Sequence, residues 1–306
     1  MEVELSDAEN VNAGAAATRG RRLPAWLRVS LPQTRVFSHT RELLRALRLH
    51  TVCESARCPN HWECWGRGTA TFMICGDRCT RACRFCAVTK ARPLPLDLEE
   101  PQRVAEAVRM MRLKHVVITS VARDDLADGG AEHFAKTIKA VRSVNPEVVV
   151  EVLTPDFNDD DRALEIVFNA RPDIFNHNLE TVRRLTPNVR SRATYERSLS
   201  VLRKARQRLP ANCRTKSGLM LGLGEEMDEV LESFRDLRAV GCEILTLGQY
   251  LQATGGCLPV AEYVRPEMFD ELGKRALAMG FAHVASAPRV RSSYRADCLA
   301  GVETGG

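Results

Sequence analysis

The chain has 306 residues, 44% hydrophobic and 27% charged, with a formal net charge of +5. That length carries one large domain with a sizeable core or two small ones, and the composition is that of an ordinary globular protein. No apolar run nears the roughly 20 residues that span a bilayer. The mild positive charge suits an acidic partner or anionic ligand, and the absence of a dense basic tract with interleaved aromatics argues against nucleic acid.

In chain order, residues 1–22 ("MEVELSDAENVNAGAAATRGRR") are acidic at the start and lack an apolar segment, so they read as a disordered tail rather than a secretory or transit signal, and the protein is expected in the cytoplasm. "TRELLRALRL" has apolar residues at helical spacing. Most of the eleven cysteines crowd into residues 53–86; without a secretory signal, clustered cysteines point to metal rather than to a disulfide framework. Strand-like runs follow at 71–76, 115–121, 148–155, 174–180, 215–224 and 243–251. Helical patterns lie between them at 99–113, 131–143, 159–170, 194–208, 226–240 and 266–279, several opening on a capping group such as the acids Asp159 to Asp161.

Six strand-then-helix units predict an α/β fold with a parallel sheet and right-handed crossovers. Rossmann glycines are missing after the first strand, so the expected architecture is a partial (β/α)6 TIM-type barrel, with reactive groups at the C-terminal ends of the strands. It occupies 71–280, with a cysteine-rich N-terminal extension at 23–70 and a C-terminal extension at 281–306. The loop after the first strand, "GDRCTRACRFCAVTK", falls at the barrel mouth.

That loop sets Cys79, Cys83 and Cys86 in a C-x3-C-x2-C spacing. Zinc commonly takes four ligands from two separated pairs, whereas a [4Fe–4S] cluster held by three thiolates keeps one iron free; a structural zinc knuckle is the alternative. The spacing, with aromatic Phe85 before the last cysteine, resembles the signature of radical S-adenosylmethionine enzymes. The resemblance implies that the open iron binds adenosylmethionine. Upstream, Cys53, Cys58 and Cys64 form a second trio, C-x4-C-x5-C, again without an obvious fourth ligand.

The two trios together, with "TSVARDDLADGGAEHFA", "FNHNLETV", "TKSGLMLGLGE", "LTLGQYLQ", "LPVAEYVRPEMFDELG" and "RVRSSYRAD", resemble the lipoyl synthase family from about residue 24 to 298. The resemblance implies two [4Fe–4S] clusters, one of them, on Cys53, Cys58, Cys64 and a serine of "RSSY", acting as sulfur donor; Ser293 is the expected ligand and Ser292 the alternative. It implies sulfur insertion at carbons 6 and 8 of a protein-bound octanoyl-lysine. Implied partners are octanoylated lipoyl carrier domains, namely acyltransferase subunits of 2-oxoacid dehydrogenases and the glycine-cleavage H protein, and an electron donor such as ferredoxin or flavodoxin.

Under the same resemblance Phe85 packs near the adenine, Glu180 and Asn178 face the ribose, and Arg190 and Lys216 meet the adenosylmethionine carboxylate. Trp62 and Trp65 would shield the second cluster, and Gly129 and Gly130 would let backbone approach a ligand. His177 reads as a hydrogen-bonded core histidine, and Cys75, Cys213, Cys242, Cys257 and Cys298 as incidental thiols. The chain departs from the family pattern at Ser191 and Arg192, at Ala253 with Gly255 and Gly256, and at Ala287. Two other readings are a methylthiotransferase, which would carry its extra cluster and an RNA-binding module elsewhere, and a non-enzymatic metal protein, which would not need a barrel of this size.

Overall fold

A computed structural model describes residues 23–28, 35–294 and 296; the expected tail, residues 1–22, and Cys298 lie outside the described residues. The N-terminal part holds α1 (Arg35–Ala46), β1 (His50–Thr51), α2 (Val52–Ser55) and α3 (His61–Gly66). β2 (Thr71–Ile74) starts the barrel, and its exit loop folds into a two-strand ribbon, β3 (Arg78–Cys79) and β4 (Thr89–Lys90). Then come α4 (Glu100–Met110), β5 (His115–Ser120), α5 (Ala131–Val144), β6 (Val149–Leu153), α6 (Asp161–Asn169), β7 (Ile174–Asn176), the short α7 (Thr186–Val189) and α8 (Tyr195–Arg208). β8 (Arg214–Leu221), α9 (Met227–Ala239), β9 (Ile244–Gln249), α10 (Pro266–Ala278) and β10 (His283–Ser286) complete the set.

The sheet order is β1-β2-β5-β6-β7-β8-β9-β10, with all neighbours parallel except β1 and β2. Each of the six expected strand–helix units is present. The sheet also continues past residue 280, because His283–Ser286 pairs along β9. β1 and β10 are the two edges of the sheet and, among the described residues, do not pair with each other, so the barrel is open on one side.

Helix starts follow the sequence. Asp160 accepts hydrogen bonds from the Arg162 and Ala163 amides at the head of α6, Thr194 caps α8, and Glu226 with Glu229 forms a reciprocal capping box on α9. One apolar core lies between β2, β5, β6 and β7 and α4, α5 and α6. A second lies between β8 and β9 and α9 and α10. Among the described residues no helix is long and apolar enough to cross a membrane.

Candidate active site

The first cysteine trio leaves the end of β2 through two left-handed residues, Cys75 at φ 67° and Gly76 at φ 90°. A non-glycine there is strained, and such strain gathers at functional turns. The loop carries amides to the sulfurs: Arg81 N and Ala122 N donate to Cys79 Sγ, each at 3.4 Å, and Ser191 N donates to Cys83 Sγ at 3.4 Å. The Val88 amide does the same for Cys86. Burial pushes the Cys83 thiol up and Cys86 up to about 12, helped by neighbouring thiols and by Glu180. Three crowded, half-buried thiols with amides aimed at them become stable thiolates when a cationic centre binds, which is the condition an iron–sulfur cluster meets.

The loop is clamped by a residue that sequence reasoning passed over. The buried guanidinium of Arg81 bonds Asp124, beyond β5, and Asp156, beyond β6, at 2.7 Å each, and Thr80 Oγ1 donates to Asp124 at 2.7 Å. The signal was an arginine inside the cysteine loop and an aspartate after each of two strands.

The second trio sits in the N-terminal segment. Cys53 lies in α2, whose first turn is capped by the Thr51 hydroxyl accepting from Glu54 N; Cys58 follows it, and Cys64 lies in α3. Burial first, and the neighbouring thiols second, raise Cys53 and Cys64 to about 12. The Asn60 and His61 amides face Cys58, and the Thr71 amide faces Cys53. The buried Trp65 indole N–H has no close acceptor, yet it lies where it favours the ionised form of Cys53. Trp62 instead stacks on Phe37 of α1, ring centroids 4.6 Å apart. Among the described residues no three His, Cys, Asp or Glu side chains converge on a single-ion site. The donor set, soft sulfur with inward N–H groups, fits a cluster better than one hard cation.

The C-terminal segment returns to this place. Pro288 O accepts from Gln249 N at 3.1 Å, laying residues 288–290 against the end of β9. Gly248 permits it, since a Cβ there would stand 1.9 Å from Val290 O. Glu63, beside Cys64, then receives Arg289 Nη2 and the Tyr294 hydroxyl at 2.8 Å each, and Asn60 Nδ2 donates to Arg289 O at 2.6 Å. The two serines point apart. Thr71 Oγ1 donates to Ser293 Oγ at 2.8 Å, and Ser293 shares a small cavity with Cys53 and Cys64. Ser292 Oγ accepts from Asn178 Nδ2 at 2.6 Å.

A cavity of about 580 Å³ lies between the trios, bordered by Phe85 and Cys86 on one side, Cys58 and Ser293 on the other, and Asn178 and Glu180 on the barrel wall. Glu180 is a non-glycine at φ 70°; burial raises its carboxyl, while Arg190 and the Asn178 amide favour its charged form. Arg190 is half-buried behind the cavity wall without lining the cavity itself; its Nη1 is bonded to Asn178 O at 3.1 Å and Ser198 Oγ at 2.7 Å, and its Nε has no partner among the described residues.

Lys216 does not join this group. Its ammonium is fully buried 2.8 Å from Glu151 Oε1, and it does not line the cavity. Gly129 and Gly130 also miss the cavity: a Cβ at either would press on Phe157 or on the Cys75 sulfur. His177 is held by Thr154 O at 2.9 Å and Ser198 Oγ at 3.1 Å, and burial lowers it to about 4, so it is a neutral core histidine. Cys75, Cys213, Cys242 and Cys257 are buried free thiols.

A partial barrel with a thiol trio on the loop after its first parallel strand defines a protein of the radical S-adenosylmethionine class, and residues 73–237 match the Radical SAM superfamily. The fold is also that of a crystal structure of methylornithine synthase (TM-score 0.53, 13% identity, 86% of each chain). Residues 4–58 match the N-terminal domain of lipoyl synthase of the same superfamily. A lipoyl synthase of Halalkalibacterium halodurans is 55% identical over 90% of this chain and 91% of its own. One of Rubrobacter xylanophilus is 56% identical over 91% of this chain and 87% of its own. The chain belongs to the lipoyl synthase family.

Proposed function

We propose that the protein converts an octanoyl group, amide-linked to a lysine of a small carrier domain, into a lipoyl group by placing sulfur on its sixth and eighth carbons. The observation that carries this reading is that one thiol of each trio, Cys86 and Cys58, lines a single cavity, with the Ser293 hydroxyl on the side of the second trio. An unactivated C–H bond has no acidity that a base could use, so the protein's task is to hold cofactors, position the alkyl chain and keep water away. When bound, the cluster on Cys79, Cys83 and Cys86 with adenosylmethionine supplies a carbon radical that takes hydrogen, and the cluster on Cys53, Cys58, Cys64 and Ser293 supplies sulfur.

The chain's own groups divide the work. Glu180 and the free Asn178 Oδ1 accept from the ribose hydroxyls, and Phe85 lies against the adenine. The unpartnered Arg190 Nε meets the carboxylate of adenosylmethionine; with Lys216 committed to Glu151, Arg190 is the better of the two expected cations. A hydroxyl oxygen is a harder ligand than thiolate, so Ser293 would hold the second cluster by its weakest corner. Free thiols throughout the described residues suit a reducing compartment, in keeping with a cytoplasmic enzyme. Carriers of the 2-oxoacid dehydrogenase and glycine-cleavage type, and a ferredoxin or flavodoxin as electron donor, complete the proposal.

Anaerobic reconstitution with iron and sulfide tests it. The expected result is about eight irons per chain from two four-iron clusters, 5′-deoxyadenosine release, and lipoyl product on an octanoylated carrier peptide. Cys58→Ala should still release 5′-deoxyadenosine and make no lipoyl group. Lipoyl product from that variant would refute the sulfur-donor role of the second trio.

A further inference from the structure

Ser292 and Ser293 are chain neighbours whose hydroxyls serve opposite walls of one cavity. Ser293 faces Thr71 and the Cys53 and Cys64 thiols. Ser292 faces Asn178, whose single amide nitrogen also donates to Glu180 Oε1 at 3.1 Å. The chain of contacts is therefore Glu180, Asn178, Ser292, Ser293, Thr71, running from the barrel wall to the second trio. Asn178 is 5% exposed, and its Oδ1 has no hydrogen-bond partner. Its orientation consequently rests on the two acceptors of its amide nitrogen. Gly218 leaves room for the junction: a Cβ there would come within 2.5 Å of Thr246 Oγ1, 3.0 Å of Asn178 Oδ1 and 3.3 Å of Ser292 Oγ.

We infer that Ser292 is a positioning residue, acting through Asn178, which couples the adenosylmethionine pocket to the C-terminal segment that presents Ser293. This rests on the lipoyl synthase reading and adds to it a role for the first serine of the pair. With the hydroxyl at 292 in place, Asn178 is held with its amide toward Glu180, and the segment is fastened to the barrel wall beside Ser293. Remove the hydroxyl and both ends loosen. Coupling of this kind is reciprocal: a change on the segment weakens adenosylmethionine binding, and a change on the barrel wall loosens the second cluster.

The experiment uses anaerobically reconstituted holoenzyme of the wild type, Ser292→Ala, Ser292→Thr, Asn178→Ala and the Ser292→Ala/Asn178→Ala double variant. Two quantities are read: the adenosylmethionine dissociation constant, and the rate at which an iron chelator strips the second cluster. Losing one hydrogen bond predicts an increase of about three- to tenfold in each for Ser292→Ala. Asn178→Ala, on the barrel wall, should speed iron loss from the second cluster by a similar factor. Ser292→Thr, which keeps the hydroxyl, should stay near wild type, separating hydroxyl loss from general damage. In the Asn178→Ala background, Ser292→Ala should add less than about twofold, because its route is already cut.

The inference is overturned if Ser292→Ala leaves both quantities within twofold of wild type, if Ser292→Thr is as impaired as Ser292→Ala, or if the effects of Ser292→Ala and Asn178→Ala multiply. A wild-type enzyme that binds and cleaves adenosylmethionine while these variants show no coupling sinks only this inference. A wild type that cleaves none sinks the proposed function along with it.

Discussion

Single buried charges at the centre of the barrel set how the protein responds to acid. The carboxyl of Glu151 is held down to about 2 because Lys216 and His115 outweigh the burial that would otherwise raise it, and Arg81 does the same for Asp156. Both groups have folded values below their ordinary 4.5 and 3.8, so the stability they confer is complete above those values and is lost as pH falls toward about 2. His177 acts higher: lowered from 6.5 to about 4, it leaves the unfolded chain binding the extra proton in that interval, so stability also declines as pH drops from 6.5 to 4. A plot of urea midpoint against pH should be flat above about 6.5 and fall in two stages below it, and His177→Gln should flatten the upper stage. Lys216→Met leaves the buried Glu151 carboxylate with only His115 and the Asn176 amide beside it and should cost about 3 kcal/mol of unfolding free energy, read as a lower urea midpoint at neutral pH. Both cysteine trios were legible from spacing alone. The fate of Lys216 was not, because the sequence shows a lysine in a strand but not the glutamate two strands away that neutralises it.

At the scale of elements, the six strand–helix units were legible because buried strands read as short runs of β-forming residues and the amphipathic helices between them carry a strong period. β1 and β10 were not: β1 has two residues, β10 is half-buried throughout, and only their pairing to β2 and β9 defines them. The cysteine loop is an element of another kind, shaped by the Arg81 side chain as well as by its own short ribbon. Arg81→Met should strand Asp124 and Asp156 in a buried setting; we expect iron content to fall toward the four of the second trio, with adenosylmethionine cleavage lost. The segment 288–294 depends on glycine at 248 in the same way. Gly248→Ala should push Val290 off β9 and carry Ser293 from its place. The expected outcome is 5′-deoxyadenosine release without completed lipoyl product, read by quantifying both products in one reaction.

Across the whole molecule, the open side of the sheet is bridged by the two extensions, Asn60 and Glu63 from one bonding Arg289 and Tyr294 from the other, while Ser293 fastens the second extension to Thr71 of β2. The sequence announced two extensions, one rich in cysteine and one bearing two serines. It did not announce that they fasten to each other, because the partners of Glu63 lie more than two hundred residues away. Deleting residues 288–306 should leave the two apolar cores, and hence the far-ultraviolet circular dichroism, largely intact, while the second trio loses iron to a chelator faster than in the full chain.

Under the proposed function, that arrangement has an economy for a reaction that destroys one of its own reagents. The consumable part hangs at the hem of the barrel, on short helices and a hydrogen-bonded flap, and the reusable part is sewn into the strands. On that reading, whatever befalls the hem leaves the strands around the other cofactor pocket untouched.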